Sequence, residues 1–148
     1  MFFEDFEVGK KLVTRSRVIT PTDVDLFAGL TGAVNPLFLS DEAAKKRGFE
    51  GRIAPGLLVL STAVGLMYQL GIFDNIIALT SVDGVRFRSP VRPGDEIAVE
   101  CEVVEKKESK AGDRGLVRFR FVCRNLSRGS DSVEGYMSLL YPKRGAGV

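Results

Sequence analysis

The sequence predicts an α+β domain in which an antiparallel sheet surrounds one long apolar helix, and three observations lead there. Residues 53–70, IAPGLLVLSTAVGLMYQL, contain no side chain that is charged at neutral pH. The segments after it alternate apolar and polar residues with period two, the signature of half-buried strands. At 148 residues the chain has the size of one domain, residues 1–148, able to bury a real core. The order strand, helices, run of strands fits an antiparallel α+β arrangement.

Taken in order, residues 11–19, KLVTRSRVI, are rich in β-branched side chains and read as a strand. Thr20-Pro21-Thr22-Asp23 reads as a helix start, with Thr20 as N-cap, Pro21 in the first turn and Asp23 completing a near capping box. Val24, Phe27 and Leu30 share one face of that helix, and Gly32 ends it. Residues 31–39 form a loop around Asn35-Pro36, where the proline pushes Asn35 out of helical backbone. Ser40 caps a second short helix, with Asp41 and Glu42 in its first turn and Lys45, Lys46 and Arg47 in its last, matching the helix dipole.

In the long helix Pro55 occupies the first turn, where its missing N–H loses nothing. Leu57, Leu58, Leu60, Val64, Leu66, Met67 and Leu70 leave no wide polar face, so burial on nearly every side is expected, with Gly71 as the stop. Its length, roughly 24 Å at 1.5 Å per residue, is short for a membrane span.

Residues 76–81, 84–88, 96–105, 116–124 and 133–141 are the remaining strands, with a turn cluster at 90–95 and a frayed tail at 144–148. If 96–105 and 116–124 pair so that residue numbers sum to 220, Glu100 faces Arg120 and Glu102 faces Arg118 on one side. Val99 then faces Phe121 and Cys101 faces Phe119 on the other. This register makes Arg118 and Arg120 sheet-surface residues rather than phosphate ligands. It separates Cys101 from Cys123 by about 13 Å of strand, too far for a disulfide, and leaves both as buried thiols.

Composition excludes several functions. There is no histidine, so no Ser-His-Asp or Cys-His arrangement exists within one subunit, and two cysteines without Cys-x-x-Cys spacing give no zinc site. No cofactor or metal is expected. Lys plus Arg number 21 against 19 Asp plus Glu, and a net charge of +2 does not favour nucleic acid or an anionic membrane. The acidic start MFFEDFEVGK lacks the apolar run of a signal peptide, which makes the cytoplasm the default compartment.

Residues 27–44, FAGLTGAVNPLFLSDEAA, and 49–56, FEGRIAPG, resemble the MaoC-like family of hot dog proteins, which includes R-specific enoyl-CoA hydratases and 3-hydroxyacyl thioester dehydratases. The hydratase signature runs aromatic, one or two residues, aliphatic, Thr or Ser, Gly, Asp, any residue, Asn, Pro, aliphatic, His, five residues, then Ala or Ser. Phe27, Leu30, Thr31, Gly32, Asn35, Pro36, Leu37 and Ala44 fill their places at intact spacing, and residues 51–56 and 86–95 extend the likeness over most of the chain. The resemblance implies a hot dog fold, fatty acid metabolism, and an acyl thioester of coenzyme A or acyl carrier protein as ligand. It also implies sheets joined side by side in a homodimer, or in a heterodimer with a catalytic hot dog subunit.

The departures fall on the chemistry. Ala33 stands at the place of the signature's Asp and Phe38 at the place of its His, the groups that in the family hold and activate water. Methyl and phenyl groups do neither, so the resemblance leaves this chain no catalytic residue. The binding half survives: the N–H of Gly56 would meet the thioester carbonyl. Asn35 would hold a polar ligand atom or only shape its loop, Ser61 would line the tunnel or bond a carbonyl one turn back, and Phe38 would line an apolar channel or plug it. Pro55 donates nothing where many relatives have His. Arg86, Arg88 and Arg92 would meet coenzyme A phosphates or form a solvated face.

Three functions compete. The first is an acyl-thioester binding protein without the standard hydration chemistry, alone or as the non-catalytic subunit of a heteromeric dehydratase. The second is an active hydro-lyase whose acid-base groups have moved, with Asp23, Asp25, Asp41 and Tyr68 as the nearest candidates. The third is a structural hot dog dimer without ligand. A thioesterase fits less well, since the long helix lacks the carboxylate many of those enzymes use.

Overall fold

The computed structural model describes residues 1–146. Strands Lys11–Val13 (β1) and Arg17–Val18 (β2) precede helices Pro21–Thr31 (α1), Pro36–Leu39 (α2), Asp41–Lys46 (α3) and Gly56–Tyr68 (α4). Strands Ala78–Phe87 (β3), Glu96–Glu108 (β4), Arg114–Asn125 (β5) and Ser130–Pro142 (β6) follow. All pairings are antiparallel, in the order β1-β4-β5-β6-β3 with β2 also on β4. The sheet curls around α4, whose Leu58, Val59, Ala63, Leu66 and Met67 pack into one core with Val99, Phe119, Phe121 and Met137. No helix among the described residues is long and apolar enough to cross a membrane.

The local signals form as their chemistry dictates. Thr20 and Asp23 make a reciprocal capping box, with Asp23 N donating to Thr20 Oγ1 at 3.1 Å and Thr20 N to Asp23 Oδ2 at 2.8 Å. Gly32 closes α1 at φ 77°, left-handed backbone that favours glycine. Ser40 caps α3 by accepting from Ala43 N.

Several expectations are corrected. The strand expected at 11–19 is broken: register runs Leu12↔Cys101 and then Arg17↔Ile97, a slip of one residue. Thr14 fills the break, donating from N to Val99 O and accepting from Val99 N at Oγ1, both at 2.9 Å. Leu30, expected to share a face of α1 with Val24 and Phe27, is 87% exposed while Val24 is buried. The loop expected at 31–39 contains the short helix α2.

The central helix starts at Gly56 with Pro55 as N-cap, and it is not buried all round. Leu57, Ser61 and Tyr68 are exposed, tracing a stripe at helical spacing along the side turned from the sheet. Uniform apolarity reports that a helix needs cover, not which side one chain provides. Segments 76–81 and 84–88 are one strand, carried through a bulge between Asp83 and Arg86 with Gly84 at φ 59°.

The β4–β5 register sums to 222, as in Glu102↔Arg120 and Val103↔Phe119, then to 223 past a bulge at Glu105↔Arg118. The expected 220 was two residues off, a shift that keeps every side chain on its face and so leaves the alternation pattern unchanged. Arg118 instead pairs with Asp83 at 2.7 Å and Arg120 with Glu134 at 3.0 Å, on the sheet's outer surface. Cys101 faces Phe121 and Cys123 faces Val99, two positions out of register rather than four. Both are buried free thiols, and burial pushes Cys101 up to about 11. The tail expected at 144–148 lies partly outside the described residues.

Candidate functional site

The chain before α4 is held from two sides: Ile53 N donates to Leu37 O at 3.0 Å, and Ala54 N to Val91 O at 2.7 Å. The first bond brings the Asn35-Pro36 segment against the helix start, and the second brings in the 90–95 turn. That turn is locked by Asp95, a buried carboxylate that accepts from Arg92 N, Asn125 Nδ2 and Arg128 Nε, each at 2.9 Å.

Desolvation, the largest influence on Asp95, raises its pKa, but the three donors together outweigh it and hold the carboxyl below the usual carboxylate range. A depressed folded value stabilises the protein above the unfolded pKa of about 3.9, and that stability disappears as pH falls through the folded value. Wild type is therefore expected to lose more stability than Asp95→Asn on acidification below about pH 4, read as melting temperature against pH. Parallel curves would show that the carboxylate contributes nothing ionic.

At the first turn of α4 lies a cavity of about 510 Å³. Phe49, Ile53, Ala54, Leu57 and Val59 line it from the helix side, Phe87 to Val91 from the β3–β4 connection, and Ser132 and Val133 from β6. The lining is mainly apolar, and Gly56 opens onto it. The N–H groups of Gly56 and Leu57 have no acceptor among the described residues, as the first turn of a helix requires. Both residues line this apolar space, at the positive end of the helix dipole. A Cβ at 56 would stand 2.9 Å from Cδ1 and Cε1 of Phe87, so any larger residue there would have to displace that ring.

Of the residues singled out from sequence, Gly56 and Arg88 line this cavity, and Asn35, Phe38, Ser61, Arg86 and Arg92 do not. Asn35 caps α2, accepting from Leu37 N at 2.9 Å, the turn-shaping alternative of its two readings. Phe38 is half-buried against the core, and Ala33 N donates to Thr31 Oγ1. Ser61 lies on the exposed stripe of α4, beside a separate groove of about 230 Å³ lined with Arg17 and Gln69.

Arg88 lines the cavity but pairs with Glu134, whose carboxyl is lowered first by that bond. Arg86 is exposed on the sheet surface, and Arg92 pairs with Glu50 at 3.4 Å. Asp23 is used in the cap, Asp25 meets Arg52 at 3.6 Å, and Asp41 accepts from Arg52 N at 2.9 Å. Tyr68 stacks edgewise on Phe73. None of these four lines the cavity. Sequence reasoning missed Phe49, Phe87, Ser132 and Val133 as cavity walls. Nothing marks Ser132 or Val133 locally, whereas Phe87 breaks the pattern as a half-exposed phenyl group on a strand end.

The family model described as MaoC like domain matches residues 5–120. Protein MaoC of Klebsiella aerogenes is 32% identical over 114 residues, covering 76% of this chain and 34% of that protein, so the chain spans about a third of that relative's length. An (R)-specific enoyl-CoA hydratase of Rhodospirillum rubrum is 28% identical over 149 residues, covering 97% of this chain and 94% of the relative. Among solved structures, a monoamine oxidase regulatory protein from Archaeoglobus fulgius superposes with a TM-score of 0.90 at 36% identity, covering 97% of this chain and 95% of that one. With an antiparallel sheet clasping its central helix and a family match over most of its length, the chain belongs to the MaoC-like hydratase/dehydratase family of hot dog proteins.

Proposed function

We propose that the chain binds an acyl thioester of coenzyme A or acyl carrier protein, with the thioester oxygen at the Gly56 N–H and the acyl group in the apolar cavity. The observation that carries this is an apolar cavity of about 510 Å³ opening on the unpaired first turn of α4. An oxygen there gains from the partial positive charge of the helix end, and the apolar walls suit a hydrocarbon chain. Phe38 stands outside the cavity lining, which supports an open pocket over a plugged one.

In this reading the chain does not hydrate its ligand. Ala33 and Phe38 occupy the acid-base positions of the motif, and none of the nearby carboxylates lines the cavity. Catalysis then falls to a second hot dog subunit that carries the pair. The free edge of β3, with Leu79, Val82 and Phe87 exposed, supports side-by-side joining to such a subunit or to a second copy.

Calorimetric titration with butyryl-CoA tests the reading. Saturable binding is expected, weakened about tenfold or more in Gly56→Ala, whose methyl group would press on the Phe87 ring and disturb the cavity wall. Absence of binding by the folded wild type would overturn it.

A further inference from the structure

An annex of about 190 Å³ adjoins the apolar cavity, sharing Phe49, Ile53, Ser89 and Pro90 with it and adding Arg92 and Arg128. Glu50 sits across the two cations: its Oε2 accepts from Arg128 Nη1 at 3.0 Å and from Arg92 Nη1 at 3.4 Å. The guanidinium groups differ in their direct ion pairs. Arg128 has a second carboxylate, Asp95, at 2.9 Å, whereas Glu50 is the one direct ion-pair partner of Arg92 among the described residues, with the Asp41 carboxylate nearby but outside pairing distance. Arg92 Nε is shielded from solvent and has no hydrogen-bond acceptor among the described residues.

Arg92 packs against the chain at Gly51, where a Cβ would lie 2.4 Å from Arg92 Nη2 and 2.9 Å from Asp41 Oδ1 and both side chains would have to shift. Glu50 is held loosely by contrast, since its side chain is 70% exposed and a solvent-exposed ion pair contributes little. An anion on a ligand already anchored in the cavity competes for the arginines as an intramolecular group, at high effective concentration. Guanidinium groups match the oxygens of carboxylate and phosphate equally well.

We propose that the annex is an anion site, in which a carboxylate or phosphate belonging to the bound acyl thioester displaces Glu50 from Arg92 and Arg128. The proposal rests on the acyl-thioester reading of the adjoining cavity. The anion has two sources: the carrier arm of coenzyme A, or the far end of a dicarboxylic acyl group.

Three probes separate them by calorimetry: butyryl-pantetheine with no anion, butyryl-CoA with phosphates on the carrier, and glutaryl-pantetheine with a carboxylate on the acyl group. Wild type is expected to prefer an anionic probe over butyryl-pantetheine, and which probe is preferred identifies the source. Glu50→Gln should widen that preference about tenfold by removing the competitor, and Arg92→Gln should abolish it. A gain in Glu50→Gln cannot arise from misfolding, and a purely structural ion pair would give none. If butyryl-pantetheine binds but the affinity ratios are the same in all three proteins, the annex proposal is overturned and the thioester reading stands. If no thioester binds, the thioester reading fails, and phosphorus NMR line width of inorganic phosphate decides the annex: broadening by Glu50→Gln and not by Arg92→Gln upholds the anion site, and no broadening overturns it.

Discussion

The double variant Ala33→Asp, Phe38→His is expected to hydrate short trans-2-enoyl-CoA roughly 10²–10⁴-fold faster than the natural chain, the usual contribution of general acid-base catalysis. The assay follows loss of the enoyl thioester absorbance. The geometry that favours this result is the bond from Ile53 N to Leu37 O, which holds the motif segment against the cavity wall one residue from Phe38. Placing imidazole at 38 and a carboxylate at 33 puts both groups on that segment. Equal and substantial rates in the two proteins would mean that the natural chain hydrates with other groups, and the non-catalytic reading would fall. Activity in the variant alone would direct attention to a catalytic partner.

Phe119→Ala should lower stability by about 3–5 kcal/mol, the usual range for deleting a buried phenyl group that neighbours cannot replace. Phe119 is fully buried and joins three parts of the fold. Its ring meets Phe6 from the N-terminal segment at 5.6 Å and Phe73 from the turn after α4 at 5.7 Å, both edge-on, while β4 and β6 flank it with Val103 and Met137. Relaxation is restricted because each neighbour is itself packed on the sheet. Urea unfolding reads the effect as a lower midpoint at unchanged slope, and an effect below about 1 kcal/mol would mean that the site collapses around the cavity.

The parts of the molecule that sequence specified are those governed by neighbouring residues. Thr20, Pro21 and Asp23 determine where α1 starts, and Gly32 where it stops, because caps act over three or four positions. Ser40 does the same for α3. The run around Gly56 marks a helix that must be covered, and the alternation in β4 and β5 assigns each side chain to a face. Motif spacing from Phe27 to Ala44 was enough to indicate the family that the comparisons show.

Tertiary structure decided what depends on distant partners. The β4–β5 pairing lies two residues from the one inferred, because alternation is unchanged by a shift of two and only the bulge at Val103 to Glu105 and the rest of the sheet select one register. The exposed stripe of Leu57, Ser61 and Tyr68 exists because one sheet covers one side of a helix that is apolar all round. The cavity needs Gly56, Phe87 and Val133 from three separate elements, and the annex needs Glu50 beside Arg128, 78 positions apart in sequence. Sequence determined the capped helix ends, the facing of the long strands and the family, since those follow from short-range sterics and spacing. The site was settled only by folding, since its walls and charges meet through packing that no local pattern encodes.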